Sequence, residues 1–328
     1  MRLFQQTVNK ILFIRTDRIG DTLMSLAAIR TLRINFPKAW IAVCVDHVVA
    51  PILEGHPDVD EVMAIDAASF DKNFFKTWRW AVALKKIGFN LAVVSNPKKE
   101  FHLALFLAGI PVRVGYKRKW GFLLTRRLRD EKTIVKKHET QWGLELVKLC
   151  CEKPWDGQMT LPVSQDSRAK LQAWMAEKSL KPIVAVHPGT TNPRKKLRIE
   201  IFAELCGKIL DAGDFCPVII GGPEERQTGE TLLRMCRPGA ENLAGQLSLK
   251  ELTAFLSHPR VHALVTGDSG PMHVASIMGK PCVAIFAKGV EGSDPERWGP
   301  LDLKSQIIYK PLEEVDAQEI YSLLKRIP

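Results

Sequence analysis

The chain has 328 residues, 46% apolar and 25% charged, and its 47 Lys and Arg against 36 Asp and Glu leave a net charge of +11. That length suits two ordinary domains and that composition a packed core, which excludes a disordered chain. No apolar run reaches about 18 residues, so no stretch reads as a membrane-spanning helix.

Met1 to Lys10 is polar and lacks the apolar stretch of a signal peptide, so the protein is expected to stay in the cytoplasm. The seven cysteines are scattered, without a C-x-x-C pair, and most lie inside apolar segments. They read as buried free thiols, with no zinc or iron–sulfur site. The positive charge favours an anionic partner: a nucleotide, phosphorylated lipid, nucleic acid or an acidic membrane face.

Lys10 to Arg15 (K-I-L-F-I-R) is a continuous apolar strand of the kind buried on both faces of a parallel sheet. It runs into T-D-R-I-G-D, and a helix is predicted from Asp21 to Asn35, ended by Asn35-Phe36-Pro37. Strands follow at Trp40–Val45 and Val62–Ile65, then a helix at Phe74–Lys86 and a strand at Asn90–Ser95. The turn Asn96-Pro97-Lys98-Lys99 precedes a helix from Glu100 to Ala108. From Val112 to His138 basic residues interleave with Tyr116, Trp120 and Phe122, as on a solvated face or on a surface for a polyanion. Glu139–Cys151 reads as a helix and Lys153–Val163, with Pro154, Gly157 and Pro162, as a linker.

The rhythm then restarts. A helix at Ser167–Lys178 precedes a strand at Ile183–His187 that ends in P-G-T-T-N-P-R-K-K. A helix at Ile199–Ala212 leads to a strand at Cys216–Ile220 ending in G-G-P-E-E, where Pro223 suits a helix start. A helix at Leu249–Leu256 comes next. Val261 to Cys282 is strand, polar turn and helix, with Gly267-Asp268-Ser269-Gly270 as the turn and Pro271 at the first helical position. A strand at Cys282–Phe286 and a helix at Val315–Arg326 complete the series.

Alternating strands and helices in two rounds imply an α/β chain of two Rossmann-like, doubly wound parallel-sheet domains facing across a cleft. The boundaries expected are 1–160 and 161–328, with the final helix able to return to the first domain. Ligands of such sheets bind at the carboxyl ends of the strands. Polar turns occupy those ends after Arg15, Ser95, His187, Ile220 and Thr266. The turn before Pro271 also presents the unpaired N–H groups of a helix start, a ready anion site. No G-x-G-x-x-G follows the first strand, which counts against a nicotinamide dehydrogenase.

With these turns in place the sequence resembles the bacterial lipopolysaccharide heptosyltransferases, of the two-domain GT-B architecture. The matching motifs are I-R-T-D-R-I-G-D at Ile14–Asp21, F-L-A-G-I-P-V-R-V-G-Y at Phe106–Tyr116 and H-P-G-T-T at His187–Thr191. G-G-P-E-E at Gly221–Glu225, N-L-A-G-Q-L-S-L-K-E-L at Asn242–Leu252 and T-G-D-S-G-P-M-H at Thr266–His273 follow in the family's order. The resemblance implies transfer of heptose from ADP-heptose to the lipopolysaccharide inner core, with inversion and without metal or cofactor.

On the same ground Asp21 matches the general base, and Lys195 (or its neighbour Lys196) the lysine on the donor diphosphate. Thr190 and Thr191 match hydroxyls near the phosphates, and Glu224, or Glu225, an acid that binds the nucleoside. Ser269, Gly270 and His273 fall in the donor loop beside the phosphates, and Asp268 is assigned to the sugar. Charge and placement put the acceptor, Kdo-lipid A or a heptosylated core, on Lys98, Lys99, Arg113 and Lys117, with the enzyme resting on the cytoplasmic face of the inner membrane. No nucleic-acid partner is expected. Two other readings stand beside this one: a nucleotide-sugar epimerase on the same architecture, and a non-enzymatic binder of polyanions or membranes.

Overall fold

The computed structural model describes residues 8–178 and 181–328. The polar start, residues 1–7, lies outside them. The chain divides into two compact units, one running to Pro162 and one from Val163 to Pro328.

The N-terminal unit runs β1 (Lys10–Ile14), α1 (Ile19–Met24), α2 (Leu26–Asn35), β2 (Trp40–Asp46), α3 (Ala50–Leu53), β3 (Glu61–Ile65), α4 (Phe74–Ile87), β4 (Leu91–Val94), α5 (Lys99–Leu107), β5 (Val112–Tyr116), β6 (Arg126–Leu128) and α6 (Glu139–Val147). All its strands are parallel, in the order β3-β2-β1-β4-β5-β6. β1 is central, and Ile11 to Ile14 are fully buried because helices cover both faces of the sheet. On one face α4 and α5 pack Trp80, Leu84, Phe101 and Leu105 against Leu12, Ile14, Ala92 and Val94. Truncating Leu84, which has no exposed surface, to Ala would cost about 2–5 kcal/mol.

The helix expected over Asp21–Asn35 starts two residues earlier and is broken at Ser25. The Ser25 hydroxyl donates to the Asp21 carbonyl at 3.0 Å, a local bond that competes with the helical ladder and bends it. Asp21 thus sits inside the first turn of α1 and does not cap it. The segment read as a linker is strapped to the N-terminal unit. Arg30 pairs with Asp156 at 2.8 Å, Asn35 accepts from the Glu152 and Lys153 N–H groups, and His56 meets the Thr160 carbonyl at 3.0 Å.

The C-terminal unit runs α7 (Gln165–Glu177), β7 (Ile183–His187), α8 (Ile199–Ala212), β8 (Cys216–Ile219), α9 (Arg226–Met235), β9 (Glu241–Asn242), α10 (Leu249–Ser257), β10 (Val261–Gly267), α11 (Gly270–Ile277), β11 (Cys282–Ala287), α12 (Pro295–Trp298), β12 (Gln306–Lys310) and α13 (Ala317–Leu324). Its parallel sheet has the order β12-β11-β10-β7-β8-β9. With β7 taken as first strand, this is the order of the other sheet. In each unit the winding therefore reverses once, between β1 and β4 and between β7 and β10. α13 packs into the core of this unit, with Ile320 and Leu324 buried against Ile201, Leu205 and Ile308.

Six of the cysteines are buried and Cys236 is half-buried, all as free thiols. Among the described residues no helix is long and apolar enough to cross a membrane.

Candidate active site

A doubly wound sheet opens a crevice where its winding reverses, at the carboxyl ends of the two strands involved. In the N-terminal unit those are the ends of β1 and β4. Arg15, the first residue past β1, is buried there, its side chain 5% exposed. It donates to Asp17 Oδ1 at 2.7 Å, to Asp21 Oδ1 at 2.5 Å, to Glu139 Oε1 at 3.1 Å and to Ser95 Oγ at 3.1 Å. Glu139, in the first turn of α6, is itself buried and accepts from Lys132 Nζ at 2.6 Å. One guanidinium and one ammonium thus face three carboxylates.

The titrations follow from this arrangement. Burial by itself lowers the Arg15 pKa, but the charges of Asp17, Asp21 and Glu139 outweigh it and raise it. Asp21 is pushed from its ordinary 3.8 up to about 6. Burial is the main cause and the charge of Asp17 the next; Arg15 pulls the other way, and Glu139 adds a further push upward. A carboxylate held at this pKa, deprotonated at neutral pH yet basic enough to take a proton, is suited to general base work.

Lys98 and Lys99 stand at the neighbouring turn, which is tied to the first by Asn96: its amide donates to Thr16 Oγ1 at 3.0 Å. Lys98 Nζ donates to Asp71 Oδ1 at 2.9 Å and the Ala67 carbonyl at 3.1 Å, and Lys99 is half exposed, 3.8 Å from Glu100. Lys117 is exposed. Arg113 differs from these three. Its guanidinium donates to the carbonyls of Leu123 and Ile110 and lies over the Phe106 ring, so it ties β5 to its own unit. Burial lowers its pKa.

In the C-terminal unit the reversal lies between β7 and β10. His187 ends β7 and is buried. Its Nδ1 lies 2.9 Å from Thr266 Oγ1 and 3.3 Å from Ser269 Oγ, and the two hydroxyls are 2.8 Å apart. Its Nε2 lies 3.4 Å from Glu225 Oε2, which also accepts the Gly222 N–H at 2.6 Å. His187 thereby joins the turns after β7, β8 and β10. Burial would raise the Glu225 pKa, but the contacts with His187 and the Gly222 N–H prevail and lower it. Glu225 points inward, whereas Glu224 is exposed.

Lys195 Nζ donates to Asp268 Oδ2 at 2.6 Å and to the Gly292 carbonyl at 2.5 Å, and both side chains of the ion pair are about nine-tenths buried. Lys196 is exposed. Asp268, assigned from sequence to a sugar, therefore has a cation partner. Thr190 is half-buried, its hydroxyl accepting from the Asn192 N–H at 3.2 Å, and Thr191 is exposed. Ser269 precedes α11 as its N-cap residue, but its hydroxyl serves Thr266 and His187 and makes no cap bond. In the first turn of α11 Pro271 has no N–H and the Met272 N–H donates to the Ser269 carbonyl at 3.2 Å, so the Gly270 N–H is the donor this turn offers an anion. His273 is buried one turn further along.

Sequence reasoning overlooked Arg15, Glu139 and Lys132 in the first unit and His187 and Thr266 in the second. A charged residue at the end of a buried strand was the available signal for Arg15 and His187. No local signal marks Glu139, which lies 124 positions from the arginine it meets.

Two Rossmann-type units, each a six-stranded parallel sheet wound in the same order, make up the fold of a GT-B glycosyltransferase. The chain belongs to glycosyltransferase family 9 (heptosyltransferase), whose profile matches residues 78–327. It is 26% identical over 329 residues to lipopolysaccharide heptosyltransferase 2 of Escherichia coli K12, covering 95% of this chain and 92% of that one. Its fold matches the structure of E. coli ADP-heptose lps heptosyltransferase II with a TM-score of 0.81 at 23% identity, over 97% of this chain and 98% of that one. A family 9 glycosyl transferase from Veillonella parvula gives a TM-score of 0.84 at 18% identity, over 97% of both chains. The family keeps the transferase reading of the sequence and sets aside the epimerase and the non-enzymatic binder.

Proposed function

We propose that this enzyme moves heptose from ADP-heptose to a sugar of the lipopolysaccharide inner core, with inversion, using Asp21 as general base. The observation that carries the mechanism is the Asp21 carboxylate, held at the carboxyl end of β1 with a pKa of about 6. Family membership and the relatives named for ADP-heptose and lipopolysaccharide support the substrates.

In this reading the acceptor hydroxyl loses its proton to Asp21 as its oxygen attacks the anomeric carbon from the face opposite the diphosphate. The new C–O bond forms as the bond to the β-phosphate oxygen breaks, and ADP departs with the electron pair. Arg15 and Glu139 position the base. Lys195 and the Gly270 N–H at the start of α11 meet the charge that grows on the leaving diphosphate, where fixed donors act most strongly. Asp268 orients Lys195 toward it. Glu225 or Glu224 holds the nucleoside, with Thr190, Thr191 and His273 about the phosphates. No metal takes part in these steps. The polyanionic acceptor rests on Lys98, Lys99 and Lys117, and the enzyme works at the cytoplasmic face of the inner membrane.

The test is a transfer assay with ADP-heptose and Kdo-lipid A acceptors of increasing core length, read by mass spectrometry. One heptose added to one acceptor is the expected result and identifies the step. Donor binding without addition to any acceptor would overturn the lipopolysaccharide assignment, and absence of both would overturn the donor as well.

A further inference from the structure

α4 carries two apolar faces. One, with Thr77, Trp80, Ala81 and Leu84, is buried in the core. The other, at the helical spacing 74, 75, 78 and 82, leaves Phe74 and Phe75 each 66% exposed, with Trp78 and Val82 beside them. Nothing in the core requires this second face. Exposed Arg79, Lys85 and Lys86 border it.

A second aromatic pair stands on the loop after β5, where Trp120 and Phe122 are exposed with Lys117 and Lys119 alongside. The backbone is built to hold both pairs out. Among the described residues Lys72, Lys119 and Trp120 are the non-glycine residues with positive φ, at 58°, 45° and 65°. Lys72 lies two residues before Phe74, Lys119 directly precedes Trp120, and Trp120 belongs to the second pair. α5 braces both loops from within: buried Glu100 accepts the Lys72 N–H at 3.2 Å, and buried His102 contacts the Lys119 carbonyl at 2.8 Å. Strain retained in this way usually serves a surface with work to do.

We infer that the exposed face of α4, together with the Trp120–Phe122 loop, docks on an anionic phospholipid surface. Aromatic rings flanked by lysine and arginine suit the boundary between headgroups and acyl chains, where the rings leave water and the cations meet lipid phosphates. The charge of the whole chain, +11, adds attraction over a longer range. The inference deepens the reading above, since a lipid-borne acceptor is presented at such a surface.

The experiment is flotation of the full-length protein with phosphatidylcholine vesicles, with and without phosphatidylglycerol, beside a Phe74→Ser, Phe75→Ser, Trp78→Ser triple variant. Transfer to a water-soluble, delipidated core acceptor is measured in parallel. Wild type should float with the anionic vesicles, and the triple variant should lose about tenfold or more of its partitioning while keeping its transfer rate on the soluble acceptor. Wild type that does not float, or a triple variant that floats equally well, would overturn the docking surface. So would a concentration-dependent dimer, abolished by the same substitutions, in a protein that does not float. Flotation by a protein that transfers to no acceptor would sink the transfer reading and leave the docking surface supported.

Discussion

Replacing Asp21 by Asn should stabilise the protein while abolishing transfer. The Asp21 side chain is 16% exposed and shares Arg15 with two other carboxylates. Its pKa is about 6 in the fold against an ordinary 3.8. The folded chain thus holds the proton to higher pH than the unfolded chain does, so ionising Asp21 costs folding energy. The cost is absent well below pH 3.8, grows as pH rises through the window from about 4 to 6, and is complete above it. At 1.36 kcal/mol per pKa unit it comes to ~3 kcal/mol at pH 7 and about half of that at pH 5. Asparagine copies the shape of the protonated acid and never bears this charge.

Urea unfolding followed by fluorescence should show the variant more stable at pH 7 by up to that amount, with the gain shrinking toward zero by pH 4. Transfer should fall by about 10²–10⁴ if the carboxylate is the base, with donor affinity within a few fold of wild type. A variant no more stable than wild type at pH 7, or equally stabilised at pH 4 and pH 7, would refute the electrostatic account. Transfer at the wild-type rate would refute the base assignment whatever the stability.

Lys195→Met takes the ammonium away from Asp268 in a pair whose side chains are 9% and 10% exposed, and should cost up to about 3–5 kcal/mol in chemical denaturation. The Lys195→Met, Asp268→Asn double variant should recover much of that stability but keep a donor KM raised about tenfold or more, the value of one charged hydrogen bond; a normal donor KM in the double variant would remove Lys195 from the donor site. Gly189→Ala would place a Cβ 1.7 Å from Glu225 Oε1 and expel that carboxylate from the Gly222 N–H and His187. It should cost about 1.5–3 kcal/mol in unfolding experiments and weaken donor binding in titration calorimetry; unchanged values for both would show that Glu225 does not need this position.

Much of the molecule was legible in order along the chain. Elements whose character rests on local pattern stood where the pattern put them, such as β7 at Ile183–His187 and α8 at Ile199–Ala212. Buried parallel strands are unbroken apolar runs, and the polar turns that end them mark the ligand edge of the sheet. β9 and β12 went unread because edge strands bury little: Glu241 and Asn242 are half-buried, and Ile307 and Tyr309 are exposed. The break at Ser25 went unread because it depends on which of two bonds the hydroxyl makes.

The sequence by itself determined the α/β class, the two rounds of winding, and the turns at which Asp21, Lys195 and Asp268 stand. Only the tertiary structure decided what surrounds them. Arg15 meets Glu139 across 124 positions, and His187 meets Thr266 across 79 and Glu225 across 38. Residue type and spacing announce that a carboxylate lies at a strand end. Its basicity is set by the burial and the neighbouring charges that folding brings to it, and those come from parts of the chain with no local relation to it.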